Sequence, residues 1–168
     1  MERISEQLKC LSPKAHKFWI SPQKMHITLA LPGRKGEHFQ ANGVAFMKKQ
    51  IEEAIQNISV FKVELGNLNC FPDVIFREVL DPTGMLQALH NDICKRIPFT
   101  QKPEYQFDNF IPHLSFAMGE GDKNIFAHKD FSRELPITPM KIERIFLGKA
   151  KNEEGEYESR ILHEFILH

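Results

Sequence analysis

The sequence predicts an α+β fold made of two halves built alike, and three observations predict it. Residues 25–31 read MHITLAL and residues 112–118 read PHLSFAM, so an apolar run carrying histidine, any residue, then a hydroxyl occurs twice. Each run follows a segment whose apolar residues recur with helical spacing. Each is followed in turn by stretches that alternate as half-buried strands do.

In chain order, Ile4, Leu8 and Leu11 carry i, i+4, i+7 spacing, a short amphipathic helix that must stop before Pro13. Trp19 and Ile20 lead into the first histidine segment, and Pro32-Gly33 then forms a turn. A longer helix follows, with Met47, Ile51, Ile55 and Ile58 on one face and lysines and glutamates opposite. Phe61, Val63 and Leu65 alternate as a strand, and VIFREVL at 74–80 is another. Asp81-Pro82-Thr83-Gly84 is a turn suited to starting a helix, whose apolar face is Leu86, Leu89, Ile93 and Ile97 and whose end is Pro98. A loop with Tyr105 and Phe107 precedes the second histidine segment. Two last strands are expected at 141–149 and 158–167, joined by a polar turn at Asn152-Glu153-Glu154-Gly155. The halves differ in one respect: VIFREVL precedes the second helix, whereas the first helix begins almost at Met1. The first lobe therefore lacks the opening strand expected of it, as though the chain starts late relative to its relatives.

Composition narrows the function. A chain of 168 residues with 42% hydrophobic content suits one two-lobed domain over 1–168 with a real core. Basic and acidic residues balance at 22 each, so no global field draws it to long duplex DNA; small or terminal nucleic-acid substrates fit better. Cys10, Cys70 and Cys94 have no CxxC spacing and suggest neither a disulfide framework nor a zinc knuckle. No stretch approaches the roughly 18 apolar residues of a membrane span, and MERISEQLKC lacks the apolar centre of a secretory signal, so a cytoplasmic protein is expected.

In a strand, residues i and i+2 share a face about 7 Å apart, so His26 with Thr28 and His113 with Ser115 each present an imidazole beside a hydroxyl. If both pairs face one groove, one imidazole can take a proton from a nucleophile and the other deliver one to a leaving oxygen. The hydroxyls can then donate to non-bridging phosphoryl oxygens, where charge grows in the transition state. With eight histidines and 168 residues, chance yields about half an occurrence of His-x-Ser/Thr, and a single polar residue in an apolar strand is usually a satisfied core group. Two copies in matching contexts carry more. A zinc site is not indicated: there is no HExxH, cysteine pair or suitably spaced carboxylate, and no cofactor or metal is expected.

HITL and HLSF, with Phe110-Ile111-Pro112 before the second and the closing GEYESRILHEFIL, resemble the paired motifs of the two-histidine phosphoesterase superfamily. The branch they most resemble is the bacterial 2′-5′ RNA ligase or RNA 2′,3′-cyclic phosphodiesterase group. The resemblance covers essentially the whole chain and implies two pseudo-symmetric lobes of antiparallel sheet flanking a central cleft. It further implies a metal-independent hydrolase that opens RNA or nucleotide 2′,3′-cyclic phosphates to 2′-phosphates, with weak 2′-5′ ligation in reverse. By motif position His26 would be the acid, His113 the base, and Thr28 and Ser115 the phosphate holders. The partners implied are an RNA 3′ end, a nucleoside cyclic phosphate or a short oligonucleotide. A 2′-5′ oligoadenylate phosphodiesterase, or a module that binds a nucleotide or protein without turnover, are the alternatives.

The sequence departs from the family pattern where relatives carry arginines after the motifs: Ala30 and Ala117-Met118 stand there instead. Arg34, Lys35, Lys149 and Lys151 are candidate substitutes, and Ser115 keeps the hydroxyl of the commoner threonine without its methyl. Phe71 and Tyr105 are candidates to stack on a base, although with 14 phenylalanines core packing is the usual role for any one. His16, His38, His90, His128, His163 and His168 lack the motif context and are assigned no catalytic part.

Overall fold

The computed structural model describes residues 20–31, 41–97, 107–118, 134–153 and 156–168. The helix expected at Ile4, Leu8 and Leu11, the opening strand, the Pro32-Gly33 turn, Arg34, Lys35 and Tyr105 lie outside the described residues. Strands β1 (Phe61–Phe71), β2 (Val74–Leu80), β3 (His113–Met118), β4 (Thr138–Ile142), β5 (Arg144–Glu153) and β6 (Glu156–Ile166) accompany helices α1 (Ala41–Ile55) and α2 (Met85–Arg96). Four strands hydrogen-bond in the order β3-β2-β1-β4, and β5 with β6 forms a separate hairpin. The fold is α+β. No helix among the described residues is long and apolar enough to cross a membrane.

The chain forms two compact units, neither contiguous in sequence. One comprises Met1–Thr28, Glu64–Leu80 and Pro112–Thr138; the other comprises Leu29–Val63, Asp81–Ile111 and Pro139–His168.

In the first unit β2 pairs antiparallel with β1 on one side and β3 on the other. Ile75, Arg77 and Val79 of β2 point to one face and are buried; Val74, Phe76 and Glu78 point to the other. Leu65 pairs with Val79 but Leu68 with Arg77, so β1 holds one extra residue at Gly66-Asn67. That bulge is why the Phe61, Val63, Leu65 alternation resumes at Leu68 rather than at residue 67. The Arg77 guanidinium closes the bulge: Nε donates to the Gly66 carbonyl at 2.9 Å, and Nη2 to the carbonyls of Leu65 at 2.7 Å and Pro136 at 2.8 Å. Burial of this cation pushes its pKa below the ordinary arginine value.

In the second unit α2 buries Leu86, Leu89 and Ile93, with Ile97 just past its end, as the spacing predicts. Asp81 and Thr83 start it: the Met85 N–H donates to Thr83 Oγ1 and the Gln87 N–H to Asp81 Oδ2, while Gly84 takes a left-handed φ of 70°. On α1 the buried face is Met47, Ile51 and Ala54; Ile55 is only half-buried and Ile58 lies beyond the helix end. Arg96 joins the helices, donating to Glu53 Oε2 at 3.0 Å and to Asp92 Oδ2 at 2.9 Å. The strand expected at 141–149 is divided at Glu143, whose carbonyl instead accepts from the Leu167 N–H.

Candidate functional site

All four residues of the two histidine motifs fall in the first unit. The second motif is a strand, β3, which holds one extra residue at Phe116 opposite Ile75-Phe76, with Leu114, Phe116 and Ala117 buried and His113 and Ser115 half-buried. The first is not a strand, contrary to expectation. Among the described residues its one ladder contact is an antiparallel bridge between Ile27 and Leu114. A 3₁₀ turn at Pro22–Lys24 precedes it, and the pairing of this stretch to β3 is otherwise the Ile20 N–H donating to the Phe116 carbonyl at 2.8 Å.

That single bridge nevertheless sets the register. Ile27 opposite Leu114 puts His26 toward Ser115 and Thr28 toward His113, and sends all four side chains to the face that Ile27 and Leu114 do not share. In ideal extended geometry such a register sets each imidazole across from the other motif's hydroxyl. Directly opposed Cβ atoms in such a pair lie about 4.5–5.5 Å apart, and diagonal neighbours, here the two histidines, about 7–8 Å.

Each imidazole has its own setting. His26 is exposed, and its Nδ1 lies 2.8 Å from the Lys24 carbonyl. A carbonyl only accepts, so Nδ1 keeps a proton and Nε2 is the nitrogen left to exchange one. His113 packs against a pair of phenylalanines: its ring meets Phe71 edge-on at 5.2 Å and 89°, and Phe76 at 5.3 Å and 60°. Phe71 and Phe76 pack on each other at 4.4 Å. Phe76 pairs with Ser115 and Glu78 with His113 in the β2–β3 register, so the same face carries Glu78, whose Oε1 accepts from Asn69 Nδ2 at 3.1 Å.

Of the segments expected at the site, the Ile27–Leu114 bridge sets the two motif stretches side by side, and Phe71 packs on His113. Lys149 and Lys151 lie on β5, opposite Arg160 and Glu158 in the hairpin register. Arg77, the one arginine of β2, points to the opposite face and is occupied by the bulge carbonyls. Phe76, Asn69 and Glu78 escaped sequence reasoning. The period-2 alternation in VIFREVL groups Phe76 with Glu78, but nothing in it says that β3 pairs alongside. Among the described residues no group of three His, Cys, Asp or Glu side chains is arranged to hold a metal ion.

The antiparallel α+β fold and the family match together define a two-histidine phosphoesterase. The chain belongs to the 2′-5′ RNA ligase superfamily, whose family model matches residues 3–154. Among solved structures it is similar to Escherichia coli LigT complexed with NADP+, with a TM-score of 0.67 at 15% identity over 96% of this chain and 87% of that one. The same protein complexed with 3′-AMP gives 0.62 at 17% identity over 98% of this chain and 87% of LigT. TT0787 of Thermus thermophilus gives 0.60 at 16% identity, covering 99% and 93% of the two chains. Curated protein sequences include no match to this chain. Family membership supports a phosphoesterase-type activity.

Proposed function

We propose that this chain is a metal-independent phosphodiesterase that opens the 2′,3′-cyclic phosphate of an RNA 3′ end, a nucleotide or a short oligonucleotide to a 2′-phosphate. The observation that supports the reading is the Ile27–Leu114 bridge, because an extended register through it would face the two imidazoles diagonally across one small patch with a hydroxyl beside each. A phosphorus atom seated in that patch has a proton acceptor on one side and a proton donor on the other. His113 takes a proton from water as its oxygen bonds to phosphorus; the bond from phosphorus to the 3′ oxygen breaks; and His26 delivers the Nε2 proton to that oxygen. The product is a 2′-phosphomonoester and a free 3′ hydroxyl, with His26 left neutral and His113 protonated until solvent resets both. Thr28 and Ser115 hydroxyls donate to the non-bridging oxygens as negative charge grows there. Both proton transfers are thus supplied by side chains already on the face.

Phe71 borders the patch and is half-exposed, so it is the described aromatic placed to meet a base. The LigT structures complexed with 3′-AMP and NADP+ show that a protein of this fold takes ligands of nucleotide size. A cytoplasmic setting and weak reverse 2′-5′ ligation complete the proposal.

The test is turnover of nucleoside 2′,3′-cyclic phosphates in excess EDTA, with phosphorus NMR identifying the product. A 2′-phosphate formed by the wild type and abolished in both His26→Ala and His113→Ala is the expected result. Turnover that EDTA removes, or that survives either substitution, defeats the mechanism. If cyclic phosphates are inert, 2′-5′-linked dinucleotides are the next substrates, and inertness there too moves the chain to a binding role.

A further inference from the structure

His90, which lacks any motif, is fully buried on α2 at 0% exposure, and both of its ring nitrogens are engaged. Nδ1 lies 2.6 Å from the Leu29 carbonyl, and Nε2 accepts from the Phe107 N–H at 3.1 Å. A carbonyl accepts and an amide N–H donates, so the pair of bonds selects the tautomer with its proton on Nδ1. The ring stacks on Phe110 at 4.0 Å with an interplanar angle of 5°, and Cys94 Sγ sits 3.7 Å from Nε2 one turn along the helix.

The two bonded segments are the ones that matter. Leu29 directly follows Thr28, at the point where the chain leaves the first motif and enters the second unit. Phe107 and Phe110 lie on the return path, just before the chain re-enters the first unit at Pro112 and reaches His113. One imidazole therefore ties the exit of MHIT to the entry of PHLS. The tie also holds a strained residue. Phe107 has a φ of 51°, a left-handed value that a bulky side chain rarely adopts. Its N–H is fixed by His90, and its carbonyl accepts from Gln87 Nε2 at 3.0 Å, one turn earlier on α2. Backbone held in such a conformation persists only where its surroundings over-determine it, and such residues cluster near functional sites.

We propose that His90 is a positioning residue for the two-histidine face: by bonding both flanking segments it fixes the approach of one motif segment to the other. The proposal deepens the phosphodiesterase reading and rests on it for its kinetic arm only. A satisfied core histidine without this role would cost stability when replaced but leave the motif face unmoved.

Two conservative variants separate the bonds. His90→Asn places an amide near Nδ1, so it keeps the bond to Leu29 and releases Phe107; His90→Gln reaches the Nε2 position, so it keeps Phe107 and releases Leu29. Amide spectra recorded well below each melting temperature are expected to show His90→Asn perturbing residues 107–115 and His90→Gln perturbing residues 26–29. With the cyclic phosphate substrate, kcat is expected to fall about 10- to 100-fold in each with KM changed less than about 3-fold, the signature of misplaced reacting groups. Gln87→Ala, at the half-exposed end of the same clamp, decides the matter should neither His90 variant fold, with a kcat loss of about 3-fold or more expected. Spectral changes confined to α2, or kcat within about 2-fold of wild type in folded variants, overturn the proposal. Inert wild-type protein would defeat the phosphodiesterase reading alone, because the spectra still report on the tie.

Discussion

Replacing Arg77 by methionine tests the construction of the sheet that carries the motifs. Methionine retains most of the aliphatic stem, so the core keeps its volume, but three donor contacts to the carbonyls of Leu65, Gly66 and Pro136 disappear together. Each hydrogen bond from a charged donor is worth about 1.5–3 kcal/mol, and stranding a buried acceptor adds its desolvation cost. Against this stands relief from burying the cation, the same burial that lowers its pKa, which is several kcal/mol in a site of this kind. The difference leaves a net loss of about 2–4 kcal/mol. Arg77→Lys keeps a charge but not the planar fork that spans three carbonyls, so about half that loss is expected. Urea unfolding followed by circular dichroism measures both. A loss below about 1 kcal/mol for Arg77→Met, with an unchanged urea slope, would show that the bulge carbonyls are satisfied without the guanidinium. The pH dependence has a definite sign. Because the folded-state pKa is lowered, stability falls as pH drops through the alkaline range below the ordinary arginine value; beneath that window both states hold the proton and Arg77 contributes a constant.

Two further outcomes follow from the motif face. Thr28→Val and Ser115→Ala each remove a hydroxyl proposed to hold the phosphate while nearly keeping side-chain volume, and each should lower kcat about 10- to 1000-fold with the fold intact; equal activity in either would remove that hydroxyl from the proposed mechanism. The rate should also trace a bell against pH, since one imidazole must be neutral while the other is protonated; a steady rise to high pH would indicate hydroxide attack without a general acid.

Much of this was legible in the sequence because it depended on local periodicity. The apolar spacing of Leu86, Leu89, Ile93 and Ile97 and the breaker at Pro98 define α2, and VIFREVL defines β2, with little help from the rest of the chain. The motif pairs were legible because repetition is visible in one dimension. What escaped depends on partners distant in sequence. The stretch 25–31 has a strand's composition, yet among the described residues it forms one bridge, and composition does not record how much of a neighbour is free to pair. Phe76 became a wall of the His113 setting through the β2–β3 register alone. His90 read as a histidine without context because its context is a carbonyl at Leu29 and an amide at Phe107, neither of which has a sequence signature.

The lone Ile27–Leu114 bridge has a consequence for how such a site is gained or lost. Because side chains alternate along extended chain, inserting one residue between Ile20 and His26 cannot merely shift the imidazole sideways. To keep an apolar residue against Leu114, the insertion must be absorbed in the turn; otherwise His26 and Thr28 exchange faces with Ile27, and two polar groups go inward as an isoleucine goes out. Burial of unpaired polar groups then destabilises the same arrangement that has lost its chemistry. Length changes in this segment are therefore filtered by folding before activity is ever tested. Point substitutions on the outward face carry no such penalty.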